Sequence, residues 1–145
     1  PSFVQPLLRS PQLERIGPLI ARAFLTQGGT LESRAYYDAS AVSAEQRAKS
    51  RLGLQVENWD RALWAFTAAS QASDLSNTLA EITVPVLVVH GENDLVIPVS
   101  QSVALAEDLP DAELVIIPAC GHVAQEECPV AFMDAVEAWL AARAW

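Results

Sequence analysis

The sequence predicts an α/β fold in which parallel strands with flanking helices follow a helical region. Residues 84–90 form a β-branched apolar run without polar alternation, which is typical of a strand buried on both faces in a parallel sheet. Residues 113–117 form a second run of strand length. Between the two runs, Pro98 suits the first turn of a helix that extends to about Asp108. A strand, a helix and a strand in this order indicate parallel neighbours joined by a right-handed connection.

Residues 1–80 contain only helical and turn patterns. Apolar spacing predicts one helix over residues 11–25 and another over residues 59–72. Between them, Ser43 and Gln46 fit a capping box that opens a short helix. Helices without strands cannot form a sheet domain, so residues 1–80 are interpreted as a helical cap or lid that lies on another part of the fold.

Residues 81–145 are interpreted as a strand–helix–strand–helix unit with a polar residue after each strand. Asp94 follows the first strand, and His122 follows the second. Because the carboxyl ends of parallel strands meet at one edge of a sheet, we expect Asp94 and His122 to face the same crevice. His90 ends the first strand and is interpreted as a buried structural histidine whose hydrogen bonds are satisfied.

Composition narrows the class of partner. The 145 residues carry a formal net charge of −9, which disfavours nucleic acid and anionic membrane surfaces. No apolar stretch approaches the ~18 residues of a membrane span. Cys120 and Cys128 do not make the disulfide framework of a small secreted domain, so a reducing intracellular compartment (cytoplasm or plastid-like) is favoured. The two cysteines and His122 are too few for a zinc site, and no metal or cofactor is expected.

Two segments resemble the last two strands of the α/β-hydrolase fold, namely VPVLVVHGENDLVIP and LPDAELVIIPACGHVAQEECPVAF. The pattern of that family is a strand, a G-x-x-D turn and a proline, then a strand, a Gly-His pair, and a glutamate and proline soon after. The matching residues here are Gly91, Asp94, Pro98, Gly121, His122, Glu127 and Pro129. The resemblance spans about residues 82–140, and residues 1–80 more loosely resemble the cap of such hydrolases.

The resemblance implies that Asp94 is the acid and His122 the base of a catalytic triad, because the family order is nucleophile, acid and histidine. A serine hydroxyl is a weak nucleophile until an imidazole takes its proton. The carboxylate holds the imidazole in the required tautomer and stabilises the imidazolium.

The nucleophile motif G-x-S-x-G does not occur in the sequence. The family places it upstream of the cap, so we expect this chain to be a fragment, a processed piece or the product of a truncated gene, and to be inactive alone. Two parallel strands do not form a stable sheet. The expected partner is therefore the missing N-terminal half of the hydrolase, or a second copy that pairs along the exposed edge of strand 86–90.

Three functions remain open on the sequence. The first is a serine hydrolase or esterase for a small apolar ester or acyl substrate, with a pocket lined by Trp59, Trp64, Val96 and Val123. The second keeps the fold and changes the reaction to carbon–carbon bond or epoxide hydrolysis; carbon–carbon hydrolases usually have Trp where Val123 stands. The third is a non-catalytic module that binds a partner or an apolar ligand.

Overall fold

The computed structural model describes residues 10–26, 32–70 and 76–143, which divide into two units. The helical unit comprises the described residues within Pro1–Thr30 and Ser43–Leu75. The sheet unit comprises those within Leu31–Val42 and Ser76–Trp145. The segment 32–42 therefore belongs with the strands, although the sequence pattern had grouped it with the cap.

Both units are built from short elements. Two 3₁₀ segments cover Leu52–Gln55 and Ser76–Glu81. The regular elements in chain order are α1 (Pro11–Thr26), α2 (Glu32–Ala35), α3 (Ala44–Ser50), α4 (Trp59–Ser70), β1 (Val86–Gly91), α5 (Val99–Asp108), β2 (Ala112–Ile117), α6 (Ala124–Glu127) and α7 (Pro129–Ala142).

The helical unit follows the sequence pattern closely. The capping box at the start of α3 is present, since the Gln46 backbone N–H donates to Ser43 Oγ at 3.1 Å and the Ser43 N–H donates to Gln46 Oε1 at 2.9 Å. Helices α1 and α4 pack together, with Arg22 Nε donating to Asp60 Oδ2 at 3.0 Å. Gly17 lies directly against the Trp64 ring, where any side chain would collide.

The sheet unit contains the predicted parallel pair. Strand β1 pairs with β2 in parallel, in the register Val86↔Ala112 to Gly91↔Ile117, and α5 is the crossover between them. The pairing is extended at its start by a hydrogen bond from the Val86 N–H to the Asp111 carbonyl at 2.9 Å. Both strands therefore end at the same edge, where the candidate site lies.

The residues of β1 are less buried than a central strand would be. Val86 to Val89 are half-buried rather than buried, because β2 is the one strand paired with β1 in the described part of the chain. Several apolar side chains of the sheet unit are likewise exposed, including Val84 (64%) and Met133 (47%). One buried cluster of this unit lies at the end of β2 and is formed by Ile117, Cys120 and Ala124, with Val89, Val115, Cys128 and Phe132 packed against it.

None of the helices in the described part of the chain has both the length and the apolar character needed to cross a membrane.

Candidate active site

Asp94 and His122 form a hydrogen-bonded pair at the carboxyl edge of the sheet. His122 Nδ1 lies 2.9 Å from Asp94 Oδ2. Because a carboxylate only accepts hydrogen bonds, Nδ1 carries the proton, and in the neutral ring Nε2 is left as a base. The Asp94 side chain is only 3% exposed, whereas that of His122 is 35% exposed. A buried acid therefore orients a partly accessible imidazole.

A tight turn after β1 holds the Asp94 carboxylate. Oδ1 accepts hydrogen bonds from the backbone N–H of Val96 at 2.7 Å and of Ile97 at 2.9 Å. Burial raises the pKa of Asp94, but hydrogen bonds from the Ile97 N–H, the His122 ring and the Val96 N–H outweigh it. The pKa of this carboxyl therefore lies below its ordinary value, and the group is ionised at neutral pH.

The loop that carries His122 is locked to the loop that carries Asp94. The Asn93 N–H donates to the Cys120 carbonyl at 2.9 Å. Ala119, just before Cys120, adopts a left-handed backbone with φ of 51°, which a non-glycine residue occupies only when its surroundings enforce it. Gly91 packs its backbone against Cys120 and Gly121, where a Cβ would collide with both carbonyls.

A third segment, residues 35–38, is hydrogen-bonded to the loop that carries His122, here called the histidine loop (residues 118–123). The His122 N–H donates to the Ala35 carbonyl at 2.8 Å. Glu127 accepts the Gly121 N–H at 2.6 Å through one oxygen and the Asp38 N–H at 2.9 Å through the other. The backbone N–H groups of the Gly-His pair are therefore both bonded, which limits the freedom of the imidazole.

Tyr36 anchors this segment. Its side chain is buried with Ala35 and Val42, and its hydroxyl donates to Glu126 Oε2 at 2.7 Å. Glu126 and Glu127 lie in the separate turn α6, before the last helix, and both carboxylates bind the 35–38 segment. No local sequence pattern connects residues so far apart in the chain.

Cys120 and Cys128 are joined by a disulfide, whereas the sequence predicted no disulfide framework. Cys120 is fully buried. Cys120, Cys128 and Glu127 place potential ligand atoms within 4.8 Å of one another. Because the two sulfurs are bonded to each other, however, neither is a thiolate that could bind a metal.

The four candidate pocket residues lie in different surroundings. Val96 is exposed in the Asp94 turn, and Val123 packs on the cluster formed by Ala35, Tyr36 and Val42. Trp59 and Trp64 belong to the helical unit, where Trp64 lines a cavity of about 1210 Å³. A role for these four residues in substrate binding stays a prediction.

The lowered pKa of Asp94 predicts an acid-sensitive fold. A carboxyl with a lower pKa in the folded state stabilises that state above its unfolded pKa, and this contribution is lost as pH falls below about 4. We expect the free energy of unfolding, measured by urea denaturation, to decrease between about pH 5 and pH 3. The decrease should be smaller in Asp94→Asn. An equal decrease in both proteins would contradict this assignment. Asp38, Asp60 and Asp111 also have lowered pKa values, and they account for the pH dependence of the free energy of unfolding that remains in Asp94→Asn.

Fold and site geometry together define a family. The protein-family model described as alpha/beta hydrolase fold matches residues 22–129, which is more than half of the chain. This chain belongs to the α/β-hydrolase fold family.

Named relatives and solved structures agree with this assignment. The chain is 31% identical over 130 residues to a 2-hydroxy-6-oxononadienedioate/2-hydroxy-6-oxononatrienedioate hydrolase of Burkholderia vietnamiensis, covering 86% of this chain and 40% of that protein. It is 37% identical over 68 residues to a pimeloyl-(acyl-carrier protein) methyl ester esterase of Nitrosomonas europaea, covering 47% of this chain and 27% of that protein. An α/β-hydrolase enzyme from a Medee basin deep-sea metagenome superimposes with a TM-score of 0.67 at 25% identity, covering 94% of this chain and 53% of that one. The chain thus spans about a quarter to a half of the length of these relatives.

Proposed function

We propose that this chain supplies the acid and the base of a serine hydrolase that cleaves an ester or a similar acyl bond. The observation that carries the proposal is the 2.9 Å contact between Asp94 Oδ2 and His122 Nδ1 at the carboxyl edge of a parallel sheet. This pairing leaves Nε2 of a partly exposed imidazole as a proton acceptor. No metal or cofactor is needed for these steps.

In the proposed reaction His122 accepts a proton at Nε2 and then donates it. A serine hydroxyl attacks the substrate carbonyl while its proton passes to Nε2, and Asp94 stabilises the imidazolium that forms. The same proton then passes to the leaving alkoxide, which departs as an alcohol and leaves an acyl-enzyme. Water then gives a proton to Nε2 and attacks this ester, and Nε2 returns that proton to the serine oxygen as the carboxylic acid is released.

The serine lies on polypeptide outside these 145 residues in this proposal, because the sequence contains no G-x-S-x-G motif. The half-buried residues of β1 support this arrangement, since a further parallel strand beside β1 would complete the sheet and cover them. A second copy of the chain at the same edge is the competing occupant. In this proposal the helical unit forms the cap, and substrate-binding roles of Trp59, Trp64, Val96 and Val123 are part of the proposal.

Carbon–carbon bond hydrolysis is the second candidate. It is favoured by the identity of 31% over most of this chain to a 2-hydroxy-6-oxononadienedioate/2-hydroxy-6-oxononatrienedioate hydrolase. Val123, at a position where such hydrolases usually have Trp, weakens this candidate. The same Asp94–His122 pair would move the proton in either reaction, so only the substrate distinguishes the two.

Labelling with a fluorophosphonate tests the proposal. The complete protein that contains this chain should be labelled at one serine and should hydrolyse aryl esters faster than a 2-hydroxy-6-oxo-dienoate, whereas the 145-residue chain alone should not be labelled. Faster cleavage of the dienoate would replace the ester assignment by the carbon–carbon one. Absence of both labelling and turnover in the complete protein would contradict the serine mechanism, and it would favour an aspartate nucleophile or a binding role.

A further inference from the structure

We propose that His90, oriented by Ser102, is a positioning residue that holds the Asp94 carboxylate in place for His122. The proposal rests on the proposed function, because it assigns His90 a role in the same proton transfer. His90 is the residue before the end of β1, and its side chain is 8% exposed. Four apolar residues precede it in the strand, so a buried polar ring at this position requires a partner for each nitrogen.

Both ring nitrogens of His90 have partners. Nδ1 lies 2.7 Å from Oγ of Ser102, which is itself buried on α5. Nε2 lies 3.1 Å from the Ile97 carbonyl and 3.5 Å from Asp94 Oδ2. The ring therefore bridges the crossover helix and the turn that carries the acid.

These partners determine the tautomer of His90. The Ile97 carbonyl and the Asp94 carboxylate only accept hydrogen bonds, so Nε2 carries the proton. In a neutral ring Nδ1 is then the acceptor, and the Ser102 hydroxyl donates to it. Ser102 thus keeps the Nε2 proton directed at the acid turn.

The consequence is a carboxylate held through both oxygens. Oδ1 accepts hydrogen bonds from the N–H groups of Val96 and Ile97, while Oδ2 accepts one from His122 at 2.9 Å and lies 3.5 Å from His90 Nε2. The carbonyl of Ile97 is bound by the same His90 proton, so the ring fixes the turn and the acid together. A nonpolar side chain at position 90 would fill the space but would free Oδ2 to rotate away from His122.

The test compares His90→Leu, His90→Gln and Ser102→Ala in the complete hydrolase, with Ser100→Ala as the control on the exposed part of the same helix. We expect His90→Leu to lower kcat about 10- to 100-fold with little change in KM, because the turn loses the His90 contacts with the Ile97 carbonyl and Oδ2 that keep the carboxylate in place for His122. His90→Gln, whose amide N–H replaces that of Nε2, should recover part of the loss. Ser102→Ala should lower kcat by a smaller factor, and Ser100→Ala should leave it unchanged.

Nitrogen-15 NMR of the imidazoles provides a readout that does not depend on turnover. The wild-type spectrum should show His90 protonated at Nε2 and unprotonated at Nδ1, and Ser102→Ala should shift the Nδ1 signal while Ser100→Ala should not. An Nδ1-protonated His90, or an unchanged kcat in folded His90→Leu, would overturn the positioning role. If His90→Leu does not fold, the kcat of Ser102→Ala and the tautomer of His90 seen by NMR test the positioning role instead. Full turnover in Asp94→Asn would instead reject the proposed function, and the NMR result on His90 would still stand.

Discussion

Replacing Asp94 by Asn in the complete hydrolase should lower kcat by up to about 10⁴-fold while the protein stays folded. The geometry of the turn gives the reason. The backbone N–H groups of Val96 and Ile97 both donate to Oδ1, so the single oxygen of an asparagine must take that place. Its NH₂ group then faces His122 Nδ1 and donates to it, which forces the proton of the neutral ring onto Nε2. A protonated Nε2 cannot accept the proton of the nucleophile.

Steady-state kinetics of Asp94→Asn and Asp111→Asn checks this expectation. Asp111 also has a pKa below its ordinary value, chiefly through its hydrogen bonds to Arg143, but it lies at the opposite end of β2 from the candidate site. The Asp111 variant should therefore keep its kcat. Nearly unchanged turnover in folded Asp94→Asn would remove Asp94 from the mechanism.

Replacing Gly91 by Ala should both destabilise the fold and remove most of the activity. A Cβ at Gly91 would overlap the Gly121 carbonyl oxygen and would lie 2.5 Å from the Cys120 carbonyl oxygen. Both obstacles are backbone atoms, so the end of β1 and the histidine loop must move apart. Overpacking of this kind costs about 1–3 kcal/mol and occasionally more. The same movement lengthens the contact between Asp94 and His122, on which proton transfer depends.

Gly53→Ala is the matched control, since a Cβ at Gly53 would meet no atom within 4 Å. Its free energy of unfolding should be unchanged or higher by up to about 1 kcal/mol, because alanine restricts the unfolded chain. Urea denaturation and kcat should be measured for both variants of the complete protein. Equal stability and activity in the two variants would show that the close approach at Gly91 has no such role.

The strands, the crossover helix and the positions of Asp94 and His122 could be predicted because each depends on a local pattern. The β-branched run before Gly91 forms β1, and Pro98 lies directly before the helix that starts at Val99. Since two parallel neighbours joined by a crossover must end at one edge, the proximity of the acid and the histidine followed from topology. The α/β-hydrolase resemblance is confirmed by the match of the family model to residues 22–129.

The support around the pair could not be predicted in this way. Glu127 binds Asp38 across 89 positions of the chain, and His90 meets Ser102 across a strand end and a helix. Such contacts produce no periodic pattern by which they could be recognised in the sequence. The segment 32–42 was therefore grouped with the cap, and the disulfide between Cys120 and Cys128 was missed.

By itself, the sequence determined the order of the strands and helices and the two residues that meet at the sheet edge, because hydrophobic patterning and chain direction act locally. The family was indicated separately, by the resemblance of two segments to the α/β-hydrolase fold. The tertiary structure alone decided two further supports of that pair, namely the segment 35–38 that binds the histidine loop and the buried ring of His90. The first joins Tyr36 and Asp38 to residues about 90 positions later, and the second joins a strand end to a helix. Their partners are selected by three-dimensional packing rather than by spacing along the sequence.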